Sequence, residues 1–279
     1  MFMINPRLKD ILSEKLTKKQ LGLVPSSYDQ VGSILIFADF PKELAKKEKF
    51  IGGSFLKLHP NLKTIAKKTK KYSGKYRTPK LKILAGKRTK ETVYKENNIQ
   101  LKLNVEKVYF SPRLSNERLR ITKLVNPNED ILVMFSGCGV YPVVISKNTM
   151  ARSITGIEIN PIAHKYAEEN IKLNKRTNIT LYKGDVKKIT PKLKQKFDRI
   201  LMPLPKGAES FLPEALSLSK KGTIIHFYDF LHEDEFEKAK EKIENACKKK
   251  KLKYKLLDLV KCGHFSPRVY RICIDIKIA

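Results

Sequence analysis

From Pro112 onward, short apolar runs take turns with segments of helical period, and this alternation restricts the architecture more than any other feature of the chain. Residues 131–135, 153–159, 179–182, 197–202 and 223–228 read as strands, with helices at 161–174, 209–219 and 234–250. Strands separated by helices run parallel, because a crossover of that length returns the chain to the same end of the sheet. Two further strands, 254–260 and 268–278, follow the last helix with a short loop between them. An α/β fold is expected, with a largely parallel sheet that closes in a hairpin.

The upstream residues follow another pattern. Residues 33–38 form one clear strand, followed by Pro41 and a helical stretch ending near Phe50, which together suggest a small α+β module. A Lys-rich run at 67–77 carries turn residues and no apolar period, which predicts a boundary. Residues 81–85, 91–94 and 101–108 then read as extended pieces of a second, mostly β module. The expected division is residues 1–65, 66–125 and 126–279.

Charge narrows the class of partner. Fifty-eight Lys and Arg against 28 Asp and Glu give a formal charge of +30, spread in short clusters along the whole chain, so a polyanionic partner is expected. No apolar stretch approaches the roughly 18 residues of a spanning helix, and residues 1–20 lack a signal-peptide core. A soluble, cytoplasmic, monomeric protein without membrane contact is expected. Cys138, Cys247, Cys262 and Cys273 form no CxxC pair, and His164, His226, His232 and His264 are scattered, so neither a metal site nor a disulfide framework is expected.

The candidate chemistry sits where strands end. Phe135, Ser136, Gly137, Cys138 and Gly139 form a glycine turn after the first apolar strand, where backbone can approach a cofactor closely. Glu158 ends the next strand, followed by Ile159 and Asn160, and Asp185 ends the third, followed by Val186. An acid at the second position accepts hydrogen bonds from a ribose diol, and the Gly, Glu, Asp series suggests an adenosyl ligand. Glu158 also reads as a helix-start acid before Asn160 and Pro161. Pro203 and Pro205 close the fourth strand in a rigid turn whose carbonyls remain free as acceptors. A nicotinamide cofactor is the rival, but GxGxxG is absent.

Several segments carry a resemblance to a known family. Residues 108–118, with 76–79 and 84–86 upstream and 134–137, 156–161, 169–174, 203–206 and 226–228 downstream, resemble the archaeal and eukaryotic tRNA (guanine-N1)-methyltransferases and their wybutosine-pathway relatives. The resemblance covers roughly residues 75–279. It implies a class I S-adenosylmethionine-binding sheet and methylation of N1 of the guanosine 3′ to the anticodon. It further implies Glu117 as general base for the N1 proton, Arg77 as the cation opposite charge growing on O6, and the turn of Pro203 and Pro205 beside the reacting groups. Without it, Glu117 reads as a first-turn helix carboxylate behind Ser115. Tyr109 and Arg118 match positions that hold the target base or nearby phosphates, and Arg113 is expected as a further contact.

Two departures from the family pattern bear on substrate. Val133 stands where an acid often opens the glycine motif, and Pro203 where the guanine enzymes usually have Asn. The Pro-Leu-Pro form resembles an archaeal subgroup in which some members also methylate C7 of 4-demethylwyosine, so dual specificity is expected. An aminocarboxypropyltransferase on the same scaffold and a non-catalytic RNA-binding protein are the alternatives. Lys67, Lys70 and Lys71, with the run at 248–253, are the expected phosphate contacts along the anticodon stem-loop, while the N-terminal module is expected to touch the tRNA elbow.

Overall fold

The structure is a computed structural model that describes residues 6–204 and 206–279. The chain divides into two compact units, Met1–Lys95 with Leu101–Pro112 and Glu96–Gln100 with Arg113–Ala279.

In the first unit, α1 (Pro6–Ser13) and α2 (Lys18–Gly22) precede β1 (Tyr28–Val31), β2 (Ile34–Phe37), α3 (Glu48–Leu58), β3 (Thr64–Ser73) and β4 (Thr78–Gly86). A four-stranded sheet in the order β1-β2-β3-β4 packs its apolar side, including Leu35, Phe37 and Ile65, against Leu12, Ile51 and Phe55 of the helices. The Lys-rich run expected to mark a boundary is therefore strand. Its first half lies in β3, parallel to β2 on one side and antiparallel to β4 on the other, so the two modules expected upstream share a sheet. Local composition concealed this because Lys67 and Lys68 have acidic partners elsewhere in the unit, Glu48 at 2.7 Å and Asp29 at 3.9 Å. A second small sheet pairs β5 (Glu91–Glu96) with β6 (Ile99–Asn104).

The second unit contains α4 (Ser115–Lys123), β7 (Asp130–Val133), α5 (Val140–Asn148), β8 (Ser153–Glu158), α6 (Pro161–Leu173), β9 (Ile179–Lys183), α7 (Val186–Ile189), β10 (Phe197–Met202), α8 (Leu212–Ser217), β11 (Ser219–His232), α9 (Phe236–Lys249), β12 (Tyr254–Ser266) and β13 (Val269–Ile278). The sheet order is β12-β13-β11-β10-β7-β8-β9. Pairing is parallel from β11 through β9, and β13 runs antiparallel to both of its neighbours. Apolar side chains leave both faces of the central strands. Leu132 and Met134 meet Ile225, Phe227, Leu216 and Ile243 on one face, and Ile131 and Val133 meet Ile121, Tyr141 and Ile145 on the other. Burial on both faces explains why the strands read as unbroken apolar runs.

β12 lies at the sheet edge, and its register against β13 breaks three times, between Leu256 and Asp258, Lys261 and Gly263, and His264 and Ser266. Among the described residues no helix is long and apolar enough to cross a membrane.

Candidate functional site

The glycine turn is an extension of β7. Met134 N–H donates to the Leu201 carbonyl at 3.0 Å and Ser136 N–H to the Ile157 carbonyl at 2.9 Å, so the backbone stays paired on both sides as it leaves the sheet. It then reverses through Gly137 and Gly139, both left-handed at φ 56° and 81°, a region that side-chain-bearing residues rarely enter. Gly137 N–H points at Glu158 and donates to Oε2 at 2.7 Å, while Asn160 N–H donates to Oε1 at 2.7 Å. Burial pushes the Glu158 carboxyl pKa up against the pull of these backbone donors.

Side chains around the turn face inward. Gly156 of β8 admits Ser136, since a Cβ there would lie 3.1 Å from Ser136 Oγ and 2.7 Å from Leu181 Cδ2. Cys138 is fully buried, its thiol pushed up to about 12 by burial, and its carbonyl accepts from Asn170 Nδ2 at 3.0 Å. The Cys138 side chain therefore stays in the core, whereas the buried Ser136 Oγ has no hydrogen-bond partner. Asn160, expected at the cofactor, has its side-chain oxygen occupied as the N-cap of α6, accepting from Ile162 N–H at 3.0 Å. Asp185 caps α7, one of its oxygens accepting from Lys187 N–H at 2.9 Å. Val186 is buried in the core, Ile159 is half-buried, and Phe135 packs edge-on to Phe211 at 5.0 Å. Pro203 sits in a tight turn closed by Leu204 N–H and the Met202 carbonyl at 2.7 Å, while Pro205 lies outside the described residues. Left-handed glycine backbone, a carboxylate already aligned by the turn and a second acid two strands over fit an adenosyl group.

Glu117 occupies the first turn of α4 but is buried, which separates it from an ordinary helix-start carboxylate. Its Oε1 accepts from the Tyr228 hydroxyl at 2.6 Å and Arg120 Nη2 at 2.8 Å, and its Oε2 from Arg120 Nε at 2.7 Å. With two lone pairs per carboxylate oxygen, Oε1 is saturated and Oε2 keeps one acceptor position. Behind this pair, Arg120 Nη1 donates to Asp275 Oδ2 at 2.7 Å, and Asp275 Oδ1 lies 2.6 Å from His226 Nδ1. His226 Nε2 is 2.7 Å from Arg199, which is fixed by Glu129 at 2.7 Å. Pairing with Glu117 and Asp275 holds Arg120 firmly protonated against the opposing effect of burial. His226 and Arg120 hold Asp275 far below the carboxylate range despite its burial, and burial pushes the His226 pKa down.

Sequence reasoning missed this chain of contacts. Arg120 and Asp275 are 155 residues apart, and it is the β11–β13 register that sets His226 opposite Asp275. His226, Cys273 and Asp275 place one donor atom each within 4.8 Å of one another. Two guanidinium groups already hold this cluster, which disfavours a dication there.

The expected RNA contacts divide between the units. Arg77, Tyr109, Lys67, Lys70 and Lys71 belong to the first unit, Glu117, Arg113 and Arg118 to the second. Arg77 lies in the β3–β4 turn with φ 49°, and Tyr109 packs edge-on to Tyr72 at 5.2 Å. Lys70 is exposed, whereas Lys67 is committed to Glu48 and sits over the Phe40 ring at 4.9 Å. The Lys71 side chain lies outside the described residues, and Arg113 is exposed. Arg118, expected near the target base or phosphates, is 2 % exposed and makes a two-pronged pair with Glu96 at 2.5 Å inside the second unit.

This strand order, with one antiparallel strand beside the edge and Gly, Glu and Asp at three successive carboxyl ends, defines a class I S-adenosylmethionine-dependent methyltransferase. Family models agree: residues 92–257 match the TRM5/TYW2 methyltransferase domain and residues 8–89 the TYW2 N-terminal domain. The chain belongs to the TRM5/TYW2 methyltransferase family. It is 39% identical to a Pyrococcus abyssi protein named tRNA (guanine(37)-N(1))-methyltransferase Trm5b, over 92% of this chain and 76% of that protein. A crystal structure of P. abyssi Trm5b superposes with a TM-score of 0.87 at 36% identity, covering 100% of this chain and 82% of that one. A Nanoarchaeum equitans relative, tRNA (guanine(37)-N(1))/4-demethylwyosine(37)-methyltransferase Taw22, is 38% identical over 90% of this chain and 99% of that protein. From Pyrococcus horikoshii, a TYW2 structure in complex with MeSAdo superposes with a TM-score of 0.84 at 28% identity, covering 99% of each chain.

Proposed function

We propose that the chain methylates N1 of the guanosine 3′ to the anticodon of tRNA, and C7 of 4-demethylwyosine at the same position, using S-adenosylmethionine. The observation that carries this reading is the buried Glu117 carboxylate, aligned by Arg120 and Tyr228 with one acceptor position left on Oε2. Bound S-adenosylmethionine supplies an electrophilic methyl group. Guanine N1 becomes nucleophilic as its proton passes to Glu117 Oε2, and Arg120 holds that oxygen in a single orientation. The electron pair freed by N–H cleavage delocalises towards O6, where a cation would offset the growing charge. Pro203 places no side-chain amide at the base, so the pocket discriminates less between guanine and its tricyclic derivative. The N. equitans relative, named for both substrates and matched over nearly its full length, supports the dual reading.

The test is mass spectrometry of nucleosides from two tRNAs incubated with the protein and S-adenosylmethionine, one carrying guanosine and the other 4-demethylwyosine at the target position. A methyl increment on both is the expected result. Methylation of guanosine alone would remove the second activity. An aminocarboxypropyl increment, or no product despite RNA binding, would overturn the reading.

A further inference from the structure

β11 and β13 continue beyond the carboxyl edge of the parallel sheet, and one of their faces carries two kinds of residue in succession. Along β11, His226, Tyr228 and Phe230 share a face; opposite them in β13 stand Asp275, Cys273 and Arg271. The inner end of this double row is the buried network, with the Tyr228 hydroxyl on Glu117. Two residues further out, about 7 Å along the strand, the chemistry changes. The Arg271 guanidinium lies over the Phe230 ring at 4.9 Å, and the Phe265 ring of β12 sits 4.4 Å from Phe230 at an interplanar angle of 35°. Phe265 is 65 % exposed, against 37 % for Tyr182 of the same unit, although it packs on Phe230.

A single exposed Phe calls for no explanation. This one is held against a second ring backed by a cation, in line with the candidate base and on a chain of charge +30. That combination suits a planar, π-faced group carried on a polyanion. We infer that Phe265, supported by Phe230 and Arg271, is a stacking shelf for an RNA base flanking the target nucleotide. The inference rests on the proposed tRNA substrate and adds to it the part of the protein that grips the neighbour of the reacting base. Extracting one nucleotide from a loop breaks its stacking on both sides. A ring seated on Phe230, two residues beyond the Tyr228 that binds the reacting carboxylate, replaces one of those lost stacks.

Phe265→Ala and Phe265→Trp test the shelf, because the residue is exposed and its removal leaves the core intact. Equilibrium tRNA affinity is measured for wild type and both variants, using intact tRNA and tRNAs with an abasic nucleotide immediately 5′ or 3′ of the target. Phe265→Ala should weaken binding of intact tRNA roughly tenfold, as expected for one lost base stack, and leave S-adenosylmethionine affinity unchanged, while Phe265→Trp retains tRNA affinity. With one of the two abasic tRNAs, the difference between wild type and Phe265→Ala should vanish. Wild-type affinity in Phe265→Ala, or an undiminished difference with both abasic tRNAs, overturns the shelf. Because the readout is binding, the two ideas fail separately. A wild-type protein that methylates neither target nucleoside removes the proposed function and leaves this coupling measurable. An active protein without coupling removes the shelf alone.

Discussion

Glu117 has one acceptor position to spare, and removing its charge separates chemistry from binding. Glu117→Gln should lower turnover at neutral pH by about 10²–10⁴ and leave tRNA and S-adenosylmethionine affinities as they are. Single-turnover kinetics beside equilibrium binding checks this, and unchanged turnover would remove the role. Tyr228→Phe deletes a buried hydrogen bond to a carboxylate, so it should cost about 1.5–3 kcal/mol in urea unfolding. A loss near zero would mean that the hydroxyl is not bound to Glu117. At this scale the sequence was legible where strands end. Glu158 and Asp185 could be picked out because each stands where an apolar run stops. Arg118 could not, because an arginine in a basic chain gives no sign that Glu96 takes it out of solvent. Nor could Tyr228 and Arg120, whose importance lies entirely in what folding brings beside them.

The β11–β13 pair fixes a histidine and an aspartate face to face inside the second unit, and the stability of the unit should report their titration. Burial depresses the His226 pKa below its ordinary 6.5, so unfolding takes up a proton below that pH. Stability should therefore decline as the pH falls below about 6.5. Asp275, whose folded pKa lies below its ordinary 3.8, adds a further loss below that value. Urea midpoints between pH 7 and 5 for wild type and His226→Gln test the first part. The variant should show a shallower slope, and an equal slope would exclude the histidine. The strands of this sheet were legible because burial on both faces leaves short, unbroken apolar runs. α5 was not, since its sequence is rich in Val and has Pro142 in its first turn, both poor helix signals that tertiary packing overrides. β3 was misread for the opposite reason, because lysines concealed a strand that pairs with β2 on one side and with the adjacent β4 on the other.

For the whole molecule, the charge of +30 should make tRNA binding steeply salt-dependent, with each phosphate contact contributing about −0.7 to −0.9 to the slope of log affinity against log salt. Lys70 is exposed, so Lys70→Ala should flatten that slope by roughly one contact. Lys67→Ala should leave the slope unchanged and instead lower stability, since its amine neutralises Glu48. Titrations from 50 to 300 mM salt, with thermal melts alongside, separate the two outcomes. Composition made the polyanionic partner legible, but it could not rank the lysines, because ranking depends on which have found a carboxylate. The edge of the large sheet has a different consequence. The three breaks in β12 leave its outer backbone without a long, evenly spaced row of donors and acceptors. A newly made copy crowded among others in the cell would find no even template along β12 on which to lay its own strand. An assembly line of such proteins should therefore stay a population of individuals, and light scattering at high concentration should register a single small species.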